Sequence, residues 1–373
     1  MHILFLTKWY PHSENQQLGV FIQKHALAVA LYAQVSVLHV MKQNQNMTYN
    51  VSVTKGNIVQ ISVRYKSSAW AIINGYRNIK SHFIGWHQII KFGRPHILHS
   101  HVLYGTCLAT WALHLSKGIP FLYSEHWHGF ADGQFFKLPF LKRLLFRLTG
   151  RHAKAITAVS PFLSQGLVQC RIKNSVPVIS NVVHASASAF VLDKTKIHIL
   201  SVADLVPIKN IEGVINSVAK AYLHNNCIVF HIVGNGPLLA DLKQQAQKLL
   251  PADAYQFYGL LPNYKVLELI NACSFVVINS FTETFSVVAA EALLSGKPLV
   301  STRCGGNYFV DDDCGILIAP GSNEALENAL VEMIKSYSSY NAENLKLKVK
   351  YKFSDEVIGK QFYNLYQQVL KQV

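Results

Sequence analysis

Residues 274–302 read SFVVINSFTETFSVVAAEALLSGKPLVST. The run opens at 274–279 with apolar, β-branched residues, the composition of a buried parallel strand. A polar loop follows at 280–284. Across 285–294, Val288, Ala289, Ala292 and Leu293 recur at helical spacing. Gly296 and Pro298 stop the helix, and 299–302 supplies a second short strand. Strand, loop, helix and strand make up the repeating unit of a doubly wound α/β sheet, whose ligands bind beyond the carboxyl ends of the strands. Glu283 stands at such an end. Glu291 lies eight residues on, about two helical turns deeper, so one ligand can touch both.

The segment resembles the E-x7-E motif of the family 4 (group 1) retaining glycosyltransferases, which have the GT-B fold. The resemblance implies that Glu283 lies beside the donor sugar and that Glu291 holds the ribose hydroxyls. It also implies that Thr284 and the amides of Phe285, Ser286 and Val287 face the diphosphate. Elementary chemistry agrees: a helix amino terminus presents unpaired N–H groups and partial positive charge, and a carboxylate accepts two hydrogen bonds from vicinal hydroxyls. Taken alone, the two glutamates read as a loop carboxylate and a solvated helix residue. The flanking strands and the Ser-Gly-Lys-Pro stop favour the ligand reading.

Working outward, 373 residues with 50% hydrophobic content suffice for two sizeable cores. No apolar run approaches the roughly 20 residues of a membrane-spanning helix. The opening Met1-His2-Ile3-Leu4-Phe5-Leu6 lacks a basic leader and reads as a first strand, so a cytoplasmic protein is expected. Six scattered cysteines without C-x-x-C spacing read as reduced, buried thiols. The net charge of +15 is uneven: 19 Lys and Arg face three acids up to residue 192, whereas 16 face 17 from residue 193 onward. That break suggests a domain boundary. The expected domains are 1–192 on the acceptor side and 193–353 for the nucleotide sugar, with 354–373 as a helix returning to the first.

In the first half, strand 3–6 leads through a loop to Gly19 and a helix over 20–31. Further strands are expected at 35–40 and 58–65, and a helix at 71–92 with Ile72, Ile79, Phe83, Trp86 and Ile90 on its apolar face. By resemblance, Gly19 matches the glycine loop that faces the donor phosphates. His99 and His101 end one strand, and Glu125, His126 and His128 follow another. Alternating positions on two strand ends could gather imidazoles around zinc, but packed or hydrogen-bonded histidines are the simpler reading, and no metal is assigned. The resemblance maps a histidine that reaches the donor sugar onto His126. The stretch 135–154, FFKLPFLKRLLFRLTGRHAK, predicts a basic amphipathic helix suited either to an anionic membrane surface or to a core face with a solvated basic side. Strands at 155–160 and 176–180 close the half.

In the second half, a strand over 197–205 and a helix over 211–222 flank Lys209. The resembled family places an Arg and a Lys on the diphosphate here. Lys209 fits, but the Arg position holds Asp204: either another cation replaces the Arg, or Asp204 points away from phosphate and pairs with Lys209. Gly234-Asn235-Gly236-Pro237 precedes a helix, and Leu261 lies in the loop where the resemblance rests the base. Gly305-Gly306 matches a loop beside the donor, and Asp311-Asp312-Asp313 reads as a solvated turn.

The resemblance therefore implies two Rossmann-like doubly wound domains facing a cleft, with the last helix crossing back. It implies sugar transfer with retention from a nucleotide diphosphate donor to a glycan or lipid-linked acceptor in bacterial-type surface polysaccharide assembly. Glu283, His126 and Lys209 would be catalytic, and Gly19, Asp204, Gly234, Asn235, Leu261 and Glu291 would lie at the donor. No essential metal or other cofactor is expected. A sugar-nucleotide epimerase of the same fold and a non-catalytic partner subunit are the alternatives. Nucleic acid is not an expected partner, since no aromatic-basic or zinc motif accompanies the positive charge.

Overall fold

The computed structural model describes residues 1–44 and 46–372, so Val373, at the end of the expected last helix, lies outside the described residues. The chain divides into two compact units, 1–182 with 355–373, and 183–354. The change in charge balance near residue 192 falls in the irregular segment 183–196 that opens the second unit.

The first unit is built on a seven-stranded sheet. Its strands are β1 (His2–Thr7), β2 (Gln34–Gln43), β3 (Tyr49–Thr54), β4 (Val59–Lys66), β5 (Ile97–His101), β6 (Phe121–Glu125) and β7 (Ala155–Ala158), in the order β3-β4-β2-β1-β5-β6-β7. All pairs are parallel except β3, which lies antiparallel on β4. The helices interleaved with them are α1 (Val20–Ala30), α2 (Ala71–Ile89), α3 (Leu103–Lys117), α4 (Gln134–Lys137), α5 (Phe140–His152) and α6 (Pro161–Gln169). Every residue of β1 is buried, as expected for a central strand of a parallel sheet covered on both faces. Setting β3 aside, the strand order within the unit is that of a doubly wound nucleotide-binding sheet, with its switch point between β1 and β5.

The second unit repeats the plan. β8 (Ile197–Val202), α7 (Ile211–His224), β9 (Ile228–Val233), α8 (Leu239–Leu249), β10 (Tyr255–Gly259), α9 (Asn263–Ala272), β11 (Phe275–Ile278), α10 (Val287–Leu294), β12 (Leu299–Thr302), β13 (Gly315–Ile318), α11 (Asn323–Ser336) and α12 (Ala342–Lys350) follow one another along the chain. The sheet order β10-β9-β8-β11-β12-β13 is parallel throughout and reverses between β8 and β11. The last helix, α13 (Asp355–Lys371), belongs to the first unit. It buries Ile358, Phe362, Tyr366 and Val369 in the core with Phe5, Ile22 and Val29, and the Tyr366 hydroxyl bonds His99 Nδ1 at 2.7 Å. The chain is thus two Rossmann-like domains whose final helix returns to the first, as the sequence led us to expect.

Several local expectations are corrected. The helix expected over 135–154 is broken, because Pro139 offers no N–H and Leu138 ahead of it is extended (φ −70°, ψ 150°). The apolar face assigned to α2 is wrong at both ends: Ile72 is 87% and Ile90 43% exposed, and the buried face consists of Ser81, His82, Gly85, Trp86 and Ile89. The strand expected at 176–180 is only a single bridge from Ala158 to Val178, with Pro177 interrupting the ladder's donors. β3 was not anticipated, because its alternating Val51 and Val53 are exposed and mark no buried face. All six cysteines are free, and Cys227 is exposed rather than buried. Among the described residues, no helix is long and apolar enough to cross a membrane.

Candidate active site

The candidate site of the second unit is assembled where its strand order reverses. β8 and β11 are paired there, and the loops leaving their carboxyl ends meet. The Phe281 N–H donates to the Ile208 carbonyl at 2.9 Å, and the Asn279 side-chain amide donates to the Asn210 carbonyl at 3.3 Å. A single 3-10 turn, Pro207–Lys209, ends at Asn210 in the left-handed region, whose side chain accepts from Gly213 N–H and caps α7. This turn aims Lys209 at the second loop. Its Nζ lies 2.6 Å from Glu283 Oε1, and Ser280 Oγ donates to the same oxygen at 2.7 Å. Both charged side chains are largely buried, so the pair is stronger than a surface ion pair and is held in one geometry. Ser280 was not singled out from the sequence; the only signal was its place three residues before Glu283.

Asp204 does not pair with Lys209. It is exposed and forms no ion pair among the described residues, and the lysine pairs with Glu283 instead. The neighbouring glycine loop explains why this turn is rigid. Leu205 N–H donates to Asn235 O at 2.9 Å, and Leu238 N–H donates to Leu205 O at 3.2 Å, so loops 203–205 and 234–238 are stitched together. Gly234 has φ +139°, and a Cβ on it would sit 1.8 Å from the Ala203 carbonyl oxygen. Gly234→Ala is therefore expected to destabilise the second unit by about 3 kcal/mol, a fall of about 6–12 °C in its melting temperature by calorimetry. An unchanged transition would mean that the loops separate freely. Gly306 packs similarly against Glu283, and a Cβ there would meet the Glu283 carbonyl at 2.5 Å.

α10 begins at Val287, two residues later than expected, because Ser286 acts as its N-cap and accepts from Ala289 N–H. The amides assigned to phosphate are partly engaged. Ser286 N–H reaches the Gly306 carbonyl at 3.4 Å and Val287 N–H the Phe285 carbonyl at 3.0 Å. Phe285 itself is buried against Phe309 and Phe353, and Thr284 lies in the loop ahead of it. Glu291 is 2% exposed on α10, not a solvated helix residue. Leu261 lies in the two-residue link between β10 and the Pro262 cap of α9. The acids of 311–313 are not simply solvated: Lys348 bridges Asp311 and Asp313, and Arg303 pairs with Asp312.

In the first unit, Gly19 caps α1 at φ +69°, and its close approach is to the chain itself: a Cβ would lie 2.4 Å from the Trp9 carbonyl oxygen. His99 is satisfied at both ring nitrogens, by the Tyr366 hydroxyl and by Ser124. His128 lies beside Asp132 and Gln134 at the surface. The Glu125 carboxylate is spent on the backbone N–H groups of Leu103, His126 and Trp127; burial nevertheless pushes its carboxyl up to about 7. His101 and His126 remain, with Nδ1 and Nε2 3.5 Å apart, and α1 adds His25 beside them. Burial holds all three imidazoles neutral, that of His25 at about 4. Nothing in the sequence distinguished His25 from the apolar pattern of α1.

Comparison with solved structures places this architecture. Sucrose-phosphate synthase from Thermosynechococcus elongatus is similar with a TM-score of 0.79 at 16% identity, covering 100% of both chains. HepE of Anabaena, in complex with UDP and glucose, is similar with a TM-score of 0.75 at 17% identity, over 99% of this chain and 100% of that one. These likenesses define the class as an α/β protein of GT-B architecture. Residues 34–187 match the model of Glycosyltransferase Family 4, and residues 185–354 match that of Glycosyl transferases group 1. The chain belongs to the glycosyltransferases of the GT-B fold. The alpha-monoglucosyldiacylglycerol synthase of Streptococcus pneumoniae is 28% identical over 171 residues, which is 45% of this chain and 38% of that protein, so the match spans less than half of the relative's length.

Proposed function

We propose that the chain is a retaining glycosyltransferase that moves a sugar from a nucleoside diphosphate donor, held in the region 193–353, to a glycan or lipid-linked acceptor handled by 1–192. The observation that carries this reading is the Lys209–Glu283 pair at the point where strand order reverses, the place where open α/β sheets take nucleotides. Lys209 is assigned to the diphosphate, with Gly234 and Asn235 shaping the loop beside it and Gly19, Asp204 and Thr284 at the donor's edge. Leu261 is assigned to the base, and Glu283 and His126 to the sugar. In the resting protein Glu283 holds Lys209. Donor phosphate then competes for the lysine and releases the carboxylate towards the anomeric carbon, where positive charge develops as the glycosidic bond breaks. Lys209 and the start of α10, at Phe285, Ser286 and Val287, neutralise the leaving group, so turnover is expected to need no added metal.

Incubation with a panel of nucleotide sugars and lipid or oligosaccharide acceptors in the presence of a chelator, followed by mass spectrometry and NMR of the product anomer, tests the reading. A free sugar or epimerised donor without an acceptor would favour the epimerase instead. Glu291 is assigned to the ribose hydroxyls. Glu291→Ala is expected to weaken nucleoside diphosphate binding about ten- to a hundredfold by calorimetry, the worth of charge-assisted hydrogen bonds. Unchanged affinity in a folded variant would remove that assignment.

An anionic membrane surface is the proposed site of work, which would place the protein at the inner face of a cytoplasmic membrane. The support is α5, where Phe140 and Leu141 are 64% and 76% exposed beside the exposed Lys142. Arg147 is not available to lipid, because it donates to the Cys170 carbonyl and stacks on Phe135. Co-sedimentation with anionic vesicles is expected to fall with salt and with the triple change Lys137→Gln, Lys142→Gln and Arg151→Gln. Equal binding to neutral vesicles would leave α5 as an ordinary packed helix.

A further inference from the structure

We propose that His25, His101 and His126 form a binding site for one late transition-metal ion of the zinc type. The three residues come from α1, the end of β5 and the turn after β6, so the sheet's switch point in the first unit brings them together. One nitrogen from each ring lies within 4.8 Å of the other two. The ring centroids form a nearly equilateral triangle with sides of 6.0, 5.8 and 5.7 Å. Two imidazoles on a tetrahedral zinc at about 2.0–2.1 Å stand about 3.4 Å apart. His101 Nδ1 and His126 Nε2 are already 3.5 Å apart, which is long for a hydrogen bond and close to that separation.

The hydrogen bonding supplies an independent argument. His25 Nε2 faces the Ser180 carbonyl at 3.1 Å and must therefore carry the proton, leaving Nδ1 as a lone pair. That Nδ1 is buried and has no partner. Orphaned buried ring nitrogens are costly, and a metal ion satisfies them. A ligating histidine that donates its other N–H to a backbone carbonyl is the usual outer arrangement of such a site. Phe21 and Phe362 wall the cluster, packing against His126 and His25 respectively. Three neutral imidazoles select zinc, copper or nickel over magnesium or calcium. His126 is 8% exposed, and three-histidine sites of this type take water as the fourth ligand.

An ion held here occupies His126. On the reading of His126 given above, it then excludes the donor sugar and inhibits turnover; the binding itself does not rest on that reading. The test uses the full chain, stripped with a chelator and titrated with zinc by calorimetry, then with cobalt(II) followed by visible absorption. One ion per chain is expected, with a tetrahedral cobalt band and an X-ray absorption edge fitted by three imidazoles. His25→Phe, which keeps the packing, is expected to raise the dissociation constant at least about a hundredfold and to abolish the band. His128→Ala at the surface should leave both unchanged. Absence of micromolar zinc binding by the wild-type chain, or full binding by folded His25→Phe, would overturn the site. Should His25→Phe fail to fold, the absorption edge of the wild-type protein decides. If zinc binds through these three ligands yet leaves turnover unaffected, the metal site stands and the assignment of His126 to the sugar falls.

Discussion

Glu283→Gln is expected to lower turnover about a hundred- to a thousandfold while leaving nucleoside diphosphate affinity unchanged or tighter. The change keeps the shape of the side chain and removes only its charge. The resting contact with Lys209 at 2.6 Å is weakened, which frees the lysine for phosphate and accounts for the direction of the affinity change. On the role proposed for Glu283, what is lost is a carboxylate beside a carbon that becomes cationic in the transition state. Removing one preorganised electrostatic partner of that kind costs about 3–4 kcal/mol. Steady-state rates and calorimetry on the same preparation separate the two effects. Weakened nucleotide binding with intact turnover would reverse the roles given to Glu283 and Lys209.

Acidification is expected to unfold the first unit well above the pH at which carboxylates usually protonate. Burial holds His25, His39 and His82 at about 4, against 6.5 for an unperturbed imidazole. Between those values the unfolded chain binds more protons, so stability is lost as pH falls from 6.5 towards 4, by about 1.4 kcal/mol per pH unit for each histidine. Glu125 acts in the opposite sense. Its folded value of about 7 lies above the unfolded 4.5, so protonation on acidification favours the folded state there and offsets about one histidine. Two histidines remain uncompensated, and His99, His101 and His126 are also lowered by burial. A loss of about 5 kcal/mol by pH 4.5 is comparable to the whole stability of a small domain. The five tryptophans, Trp9, Trp70, Trp86, Trp111 and Trp127, all lie in the first unit, so their fluorescence reports it alone. Its transition is expected between about pH 5.5 and 4.5, and a flat signal down to pH 4.5 would mean that the buried imidazoles find solvent without unfolding.

The parts of this molecule that were legible in sequence are those where one local rule operates. The apolar run at 274–279, the helical spacing after it and the Gly-Pro stop describe β11 and the end of α10 closely, whereas the start of α10 was placed two residues early because the cap at Ser286 was not recognised. Lys209 and Glu283 were each named from the sequence as candidates, but their pairing was not visible, because it depends on two loops separated by seventy-odd residues in the chain. The same limit hid His25, whose ring gains meaning only when β5 and β6 bring His101 and His126 beside it. β3 escaped because an exposed strand carries no buried periodicity, and the break at Pro139 was overlooked because the Leu and Phe spacing runs straight through it.

The return of α13 makes the second unit an insertion within the first, entered after residue 182 and left at residue 355. A chain emerging from the ribosome can complete the sheet and helices of the second unit while the first still lacks Ile358, Phe362, Tyr366 and Val369. The domain synthesised first is therefore the one finished last, the reverse of the usual vectorial order. Until then, the hydrophobic surface of α1 stays uncovered, and the His99 ring at the centre of that core lacks its tyrosine partner. A stalled or truncated product would expose that surface, giving the cell's quality-control machinery a means of recognising chains that have not been read to the end.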